Sequence, residues 1–196
     1  MSFLQMTTRR CAAAALLAAL ALLPACRRHS ELGAVAKPKA IAPRALPGGK
    51  VNPCALLLPA DADAVLGTAV RQADLKAQAR TALPAGSTSP TSVSECSYST
   101  VTVSPLRTLA LTVVDFPEGG QAASAFRAMK DGVRASAGVD PDDVSLADAA
   151  YWAGGHDRKL VFRRGAKVLI LDAGQGLEKE QRETATAAAK RVLGRM

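Results

Sequence analysis

From Cys11 to Leu23 the chain is an almost unbroken run of alanine and leucine, and Arg9 and Arg10 precede it with no acidic residue. A positive start, a short apolar core and a small residue (Ala25) ahead of a cut are the marks of a secretory signal. The run is about a dozen residues, whereas a helix needs roughly 20 to cross a bilayer, so it reads as a signal and not as a permanent span. This feature constrains everything after it. Only the later residues have to fold, and they fold in an exported, oxidising setting.

Leu23-Pro24-Ala25-Cys26 then resembles the lipobox of bacterial lipoproteins. The resemblance implies a diacylglycerol on the Cys26 sulfur, removal of residues 1–25, and often an acyl chain on the new amino end. Lipid chains contribute about 0.8 kcal/mol per buried CH2, and more than one chain makes attachment to a membrane durable. The alternative is a plain secretory signal cut after Ala25. Thr8-Arg9-Arg10 also resembles the start of a twin-arginine signal, so two export routes stay open. Arg27 follows Cys26, where many Gram-negative lipoproteins kept at the inner membrane carry Asp. In a Gram-negative host the expected address is therefore the outer membrane, facing the periplasm.

Net charge is +8, which would ordinarily invite a nucleic-acid reading. Its distribution argues against one. Residues 27–50 hold six Lys or Arg and one Glu, whereas residues 51–196 hold 17 basic and 16 acidic side chains. Nucleic-acid binders concentrate positive charge on a folded face, and here it sits on a leash. With Pro38, Pro43, Pro47 and Gly48-Gly49, residues 26–50 read as a lipidated cysteine followed by a flexible basic tether. Such a coil spans roughly 25–30 Å, or about 75 Å fully extended. Residues 51–196 are long enough for one domain with a core of its own.

Of four cysteines, Cys11 leaves with the signal and Cys26 takes the lipid, so Cys54 and Cys96 remain. In an exported protein the expected outcome is one disulfide. Metal sites bring close Cys pairs with His nearby, and redox pairs use C-x-x-C; neither spacing is present, and no metal is expected.

Along the domain, Pro59 can open a helix that Gly67 closes, with Asp61 and Asp63 near its positive end. Ala69 to Ala77 is a weak strand, and Thr81 to Ser94, rich in Ser, Thr, Pro and Gly, reads as a long loop. Cys96 to Val103 alternates, and Thr108 to Phe116 is a strong Val/Thr strand. Ala122, Phe126, Met129 and Val133 mark one face of a helix that Gly138 ends. Asp140 to Asp143 reads as a turn. Ala149 to Ala153, Lys159 to Arg163 and Lys167 to Asp172 are strands, the last two a hairpin around Gly165-Ala166. Leu177 to Leu193 is a closing helix. The expectation is an α+β fold: an antiparallel sheet of about five to six strands, helices packed on one face, and one disulfide.

Taken together, Asn52-Pro53-Cys54, Leu66-Gly67, Cys96-x-Tyr98, Asp148-Ala149-Ala150-Tyr151-Trp152 and the Gly165 turn resemble a group of small cysteine-paired bacterial envelope lipoproteins of unknown function. The resemblance covers nearly all of the domain. It implies a fold and brings no catalytic residue.

Candidate chemistry is sparse. His156 is the domain's one histidine and sits in Gly154-Gly155-His156-Asp157, which reads as an exposed turn. Asp140, Asp142 and Asp143 lack the ordered ligand set of a calcium loop. Gly174-Gln175-Gly176 lacks the Lys and Ser of a phosphate loop. Tyr151 and Trp152 stand out in a chain that is 4% aromatic. In a strand they face opposite sides, so one is expected in the core and the other nearer the surface, as a contact for sugar, peptide or lipid. Both packing in the core is the competing reading.

The expectation is therefore a non-enzymatic, lipid-anchored envelope module with no cofactor beyond the lipid on Cys26. Its partners would be the membrane, through that lipid, and a protein, a peptide or an apolar ligand. An envelope hydrolase with an unfamiliar site, and a structural or assembly lipoprotein, are the rivals.

Overall fold

The computed structural model describes residues 51–72, 76–78, 90–101 and 106–196. The expected signal, Cys26 and the tether lie outside the described residues, as do residues 81–89 of the loop expected over 81–94, whose last residues, Ser92 to Ser94, are strand instead.

In chain order the elements are α1 (Pro53–Leu56), α2 (Pro59–Leu66), β1 (Val70–Gln72), β2 (Lys76–Gln78), β3 (Ser92–Thr100), β4 (Thr108–Asp115), α3 (Gly119–Ala137), β5 (Asp142–Asp143), β6 (Ala149–Ala153), β7 (Lys159–Arg164), β8 (Lys167–Asp172) and α4 (Glu178–Leu193). One antiparallel sheet runs β1-β3-β4-β8-β7-β6-β5, and β2 pairs with β3 beside β1. The sheet has more strands than expected for two reasons. The weak strand over 69–77 is two short strands on one edge of β3. The aspartates read as a turn include β5, which pairs Asp142 with Trp152 and Asp143 with Tyr151.

β3 also starts earlier than its composition predicts. Ser92 and Ser94 belong to the ladder, opposite Asp115 and Val113. The Ser92 hydroxyl donates to Asp115 Oδ2 at 2.8 Å, and the Ser94 hydroxyl donates to the Val51 carbonyl at 3.3 Å. Pairing with the strong strand β4 and these side-chain partners outweigh the low β-propensity of serine.

The helices do not share one face, which corrects the expectation. Leu109, Leu111 and Val113 of β4, Leu160 and Phe162 of β7, and Leu169 and Leu171 of β8 form the larger core with Cys54, Leu57, Ala62, Ala185, Ala188 and Val192 from α1, α2, α4 and their joins. The alternate residues Val114, Val161 and Val168 form a second core with Ala122, Ala125 and Phe126 of α3. Successive strand residues point to opposite faces. So α3 covers the side of the sheet that α1, α2 and α4 leave.

The disulfide joins Cys54 in α1 to Cys96 in β3, with Cα atoms 5.3 Å apart and both residues buried. Asn52 Oδ1 accepts from the Cys54 amide at 2.9 Å and sets the start of α1. The Tyr98 hydroxyl, two positions after Cys96, donates to the Leu57 carbonyl. Its burial, and Asp61 nearby, push its pKa well above the ordinary range. Both ties hold α1 on β3.

Candidate functional site

β5 is short, and its pleat decides what surrounds it. Asp142 points to the face that carries α4, and Asp143 to the face that carries α3. Arg182 of α4 lies 2.6 Å from Asp142, and Lys130 of α3 lies 2.5 Å from Asp143. Arg134, one turn after Lys130, pairs with Asp140. Two helices on opposite sides of the sheet are thus both tied to the same edge segment.

A cleft of about 270 Å³ opens where this segment, the end of α3, the end of β6 and the start of α4 meet. Val133, Val139 and Pro141 supply apolar lining, and Trp152 lines the same cleft. Asp140, Asp142 and Glu178 bring carboxylates to its lining. The Trp152 indole Nε1–H donates to Glu178 Oε1 at 3.0 Å, so the carboxylate sits over the ring edge. Gly154 makes this possible: a Cβ there would stand 2.7 Å from Glu178 Oε1. Gly155, with φ of +69°, then turns the chain away from β6.

Of the two aromatics expected to divide between core and surface, both are 1% exposed. Tyr151 enters the second core, its ring centroid 5.1 Å from that of Phe126 at an interplanar angle of 60°. Burial, with Asp157 adding, pushes its hydroxyl pKa well above the ordinary range. Trp152 is on the opposite face, and its indole edge reaches the cleft. The pair therefore does not form one site. Cys54 and Cys96 are remote from it in the disulfide.

His156 lies in the exposed turn after β6 and is not a cleft-lining residue. Gln175 and Gly176, with φ of +68° and +115°, form the turn that leads from β8 into α4. Among the described residues no group of three or more His, Cys, Asp and Glu could hold a metal ion. Glu178 is the site residue that sequence reasoning missed, and Asp142 and Gly154, read there as turn residues, also line the cleft. Glu178 lies 26 positions from Trp152, and no local pattern links the two.

No family model matches the chain, and no curated protein matches it. Among solved structures it is similar to the extracellular domain of PknH from Mycobacterium tuberculosis, with a TM-score of 0.51 and 13% sequence identity, over 71% of this chain and 94% of that one. At that identity the likeness is one of fold. Among the described residues no helix is long and apolar enough to cross a membrane. The described part of the chain thus shares its fold with a bacterial extracellular domain.

Proposed function

We propose that the chain is a lipid-anchored bacterial envelope protein whose domain is a non-enzymatic binding module, with the cleft beside Trp152 as its ligand site. The observation that carries the binding reading is the chemistry of the cleft. Its lining combines an aromatic, apolar side chains and three carboxylates, and contains no Ser, Cys, His or Lys. A concave apolar site with a few convergent polar groups is the usual form of a binding site, and this lining has no Ser or Cys nucleophile paired with a His or Lys base. The fold shared with an extracellular bacterial domain supports the envelope setting. The anchor rests on Leu23-Pro24-Ala25-Cys26. In a Gram-negative host the domain would face the periplasm from the outer membrane.

Intact and native mass spectrometry on protein extracted gently from its own membranes tests this reading. The expected species begins at Cys26, is heavier by acyl chains, and is lighter by two hydrogens for the disulfide. A co-purifying mass would give the ligand. A species without acyl mass and with a free thiol at Cys26 would remove the anchor from the proposal.

A further inference from the structure

We infer that the cleft takes a cationic head on an apolar stem, an ammonium or guanidinium at the end of a short alkyl chain, with Glu178 as its counter-ion. The inference rests on the cleft being a ligand site and adds the class of ligand.

The balance of charge around the cleft is the first ground. Asp140, Asp142 and Asp143 each have a cation, in Arg134, Arg182 and Lys130 respectively. Glu178 lines the same cleft, and among the described residues no ion pair engages it. Its one hydrogen bond there comes from the neutral Trp152 indole, to Oε1. The indole bond engages Oε1, and Oε2 is left to accept from a ligand.

The shape of the cleft is the second ground. Val133, Val139 and Pro141 line the same cleft as the carboxylate, so a ligand whose head reaches Glu178 has apolar surface within the cleft for its stem. At about 270 Å³ the space suits one side chain or a small amine. An anion would meet the unpaired Glu178 carboxylate, while Asp140 and Asp142 are already matched by Arg134 and Arg182. A neutral apolar ligand would leave Oε2 of the exposed Glu178 to water and gain nothing from it.

Trp152 is the chain's one tryptophan, so a single indole N–H resonance reports on the cleft. The full chain, indole-labelled with nitrogen-15 and held in a neutral detergent, is titrated with n-butylammonium, n-butanol and butyrate. Acetyl-Gly-Lys-Gly-amide and its norleucine counterpart follow. Butylammonium and the lysine peptide are expected to move the resonance saturably, and the other three are not. Glu178→Gln keeps an acceptor for the indole, so the resonance stays in its folded position, and affinity for the cations falls about tenfold or more. Asp157→Asn, on the exposed turn outside the cleft lining, leaves affinity unchanged.

Tighter binding of the lysine peptide than of butylammonium supports the proposal with a partner's side chain as the source. Equal binding supports it with a free amine. If n-butanol or the norleucine peptide binds as well as the cations, or if Glu178→Gln changes nothing or Asp157→Asn changes as much, the ligand class is wrong while the cleft remains a ligand site. If no probe moves the resonance, both this inference and the cleft's role fall, and the lipid anchor is still decided separately by intact mass.

Discussion

Arg195 Nη1 lies 2.7 Å from Oδ2 of Asp61, joining the residue just past α4 to α2 across 134 positions of chain. Asp61 is buried, and its second oxygen takes Arg191 at 3.3 Å. Oδ2 also accepts from the Leu58 amide at 2.9 Å, at the start of α2. One carboxylate thus fastens two helices and caps one of them. Asp61→Ala removes a cap and two charged partners, and both arginines can turn to solvent. The expected cost is about 2–3 kcal/mol, read as a lower denaturant midpoint at unchanged slope.

Two aspartates should move stability with pH in opposite directions. Burial alone would raise the Asp61 pKa, but Arg195, the Leu58 amide and Arg191 together hold it below the usual range. Its contribution is therefore present above its unfolded pKa and is lost as pH falls through the lower folded value. For Asp172, burial raises the pKa, Glu95 adds to the rise, and Lys159 at 4.0 Å opposes it. The charged form of Asp172 is the unfavourable one in the folded state, so its penalty grows as pH rises through the folded pKa. Denaturant midpoints should be flatter in acid for Asp61→Asn than for the parent. Asp172→Asn should gain stability at neutral pH and lose that gain in acid.

The disulfide closes a loop across a sequence separation of 42. In the chain-entropy model such a link is worth about 4 kcal/mol. Replacing both Cys54 and Cys96 by Ala should lower stability by about that amount in equilibrium unfolding. The reduced parent should fall to a similar level.

Gly154 and Gly155 are adjacent and should respond differently to alanine. At Gly154 the new Cβ meets the end of a flexible side chain, Glu178 Oε1 at 2.7 Å. Stability should change by less than about 1 kcal/mol, because Glu178 can swing away. The indole hydrogen bond should break, which the tryptophan resonance and fluorescence would register. At Gly155 space is open but φ is +69°, so alanine is strained by roughly 1 kcal/mol and the indole resonance should stay in place.

Where the chain's own pattern was strong, it predicted the fold. β4 is a Val/Thr run, the β7–β8 hairpin turns at Gly165 with φ of +56°, and α3 and α4 fall close to the expected positions. The second layer was legible too, in residues read only as strand formers. Leu160-Val161-Phe162 and Val168-Leu169-Ile170-Leu171 are continuous apolar runs, and such runs belong to strands covered on both faces. β5 and the first residues of β3 were not legible. Aspartate and serine carry no strand signal, and only their partners across the sheet place them. The cleft was half legible. Trp152 stood out by composition, but its partner Glu178 comes from the start of a helix on another part of the chain.

The two-residue strand β5 has a further consequence. A sheet normally ends in a row of free amides and carbonyls that a neighbouring molecule can extend. Here that border is two residues long, flanked by Pro141, and each residue is an aspartate whose side chain is claimed by a different helix. A second copy approaching from this side finds almost no backbone to add to and meets charge on both sides of the plane. At this border the sheet offers an approaching molecule almost no open ladder to extend, so strand addition is blocked here by the brevity of the edge and by its charge.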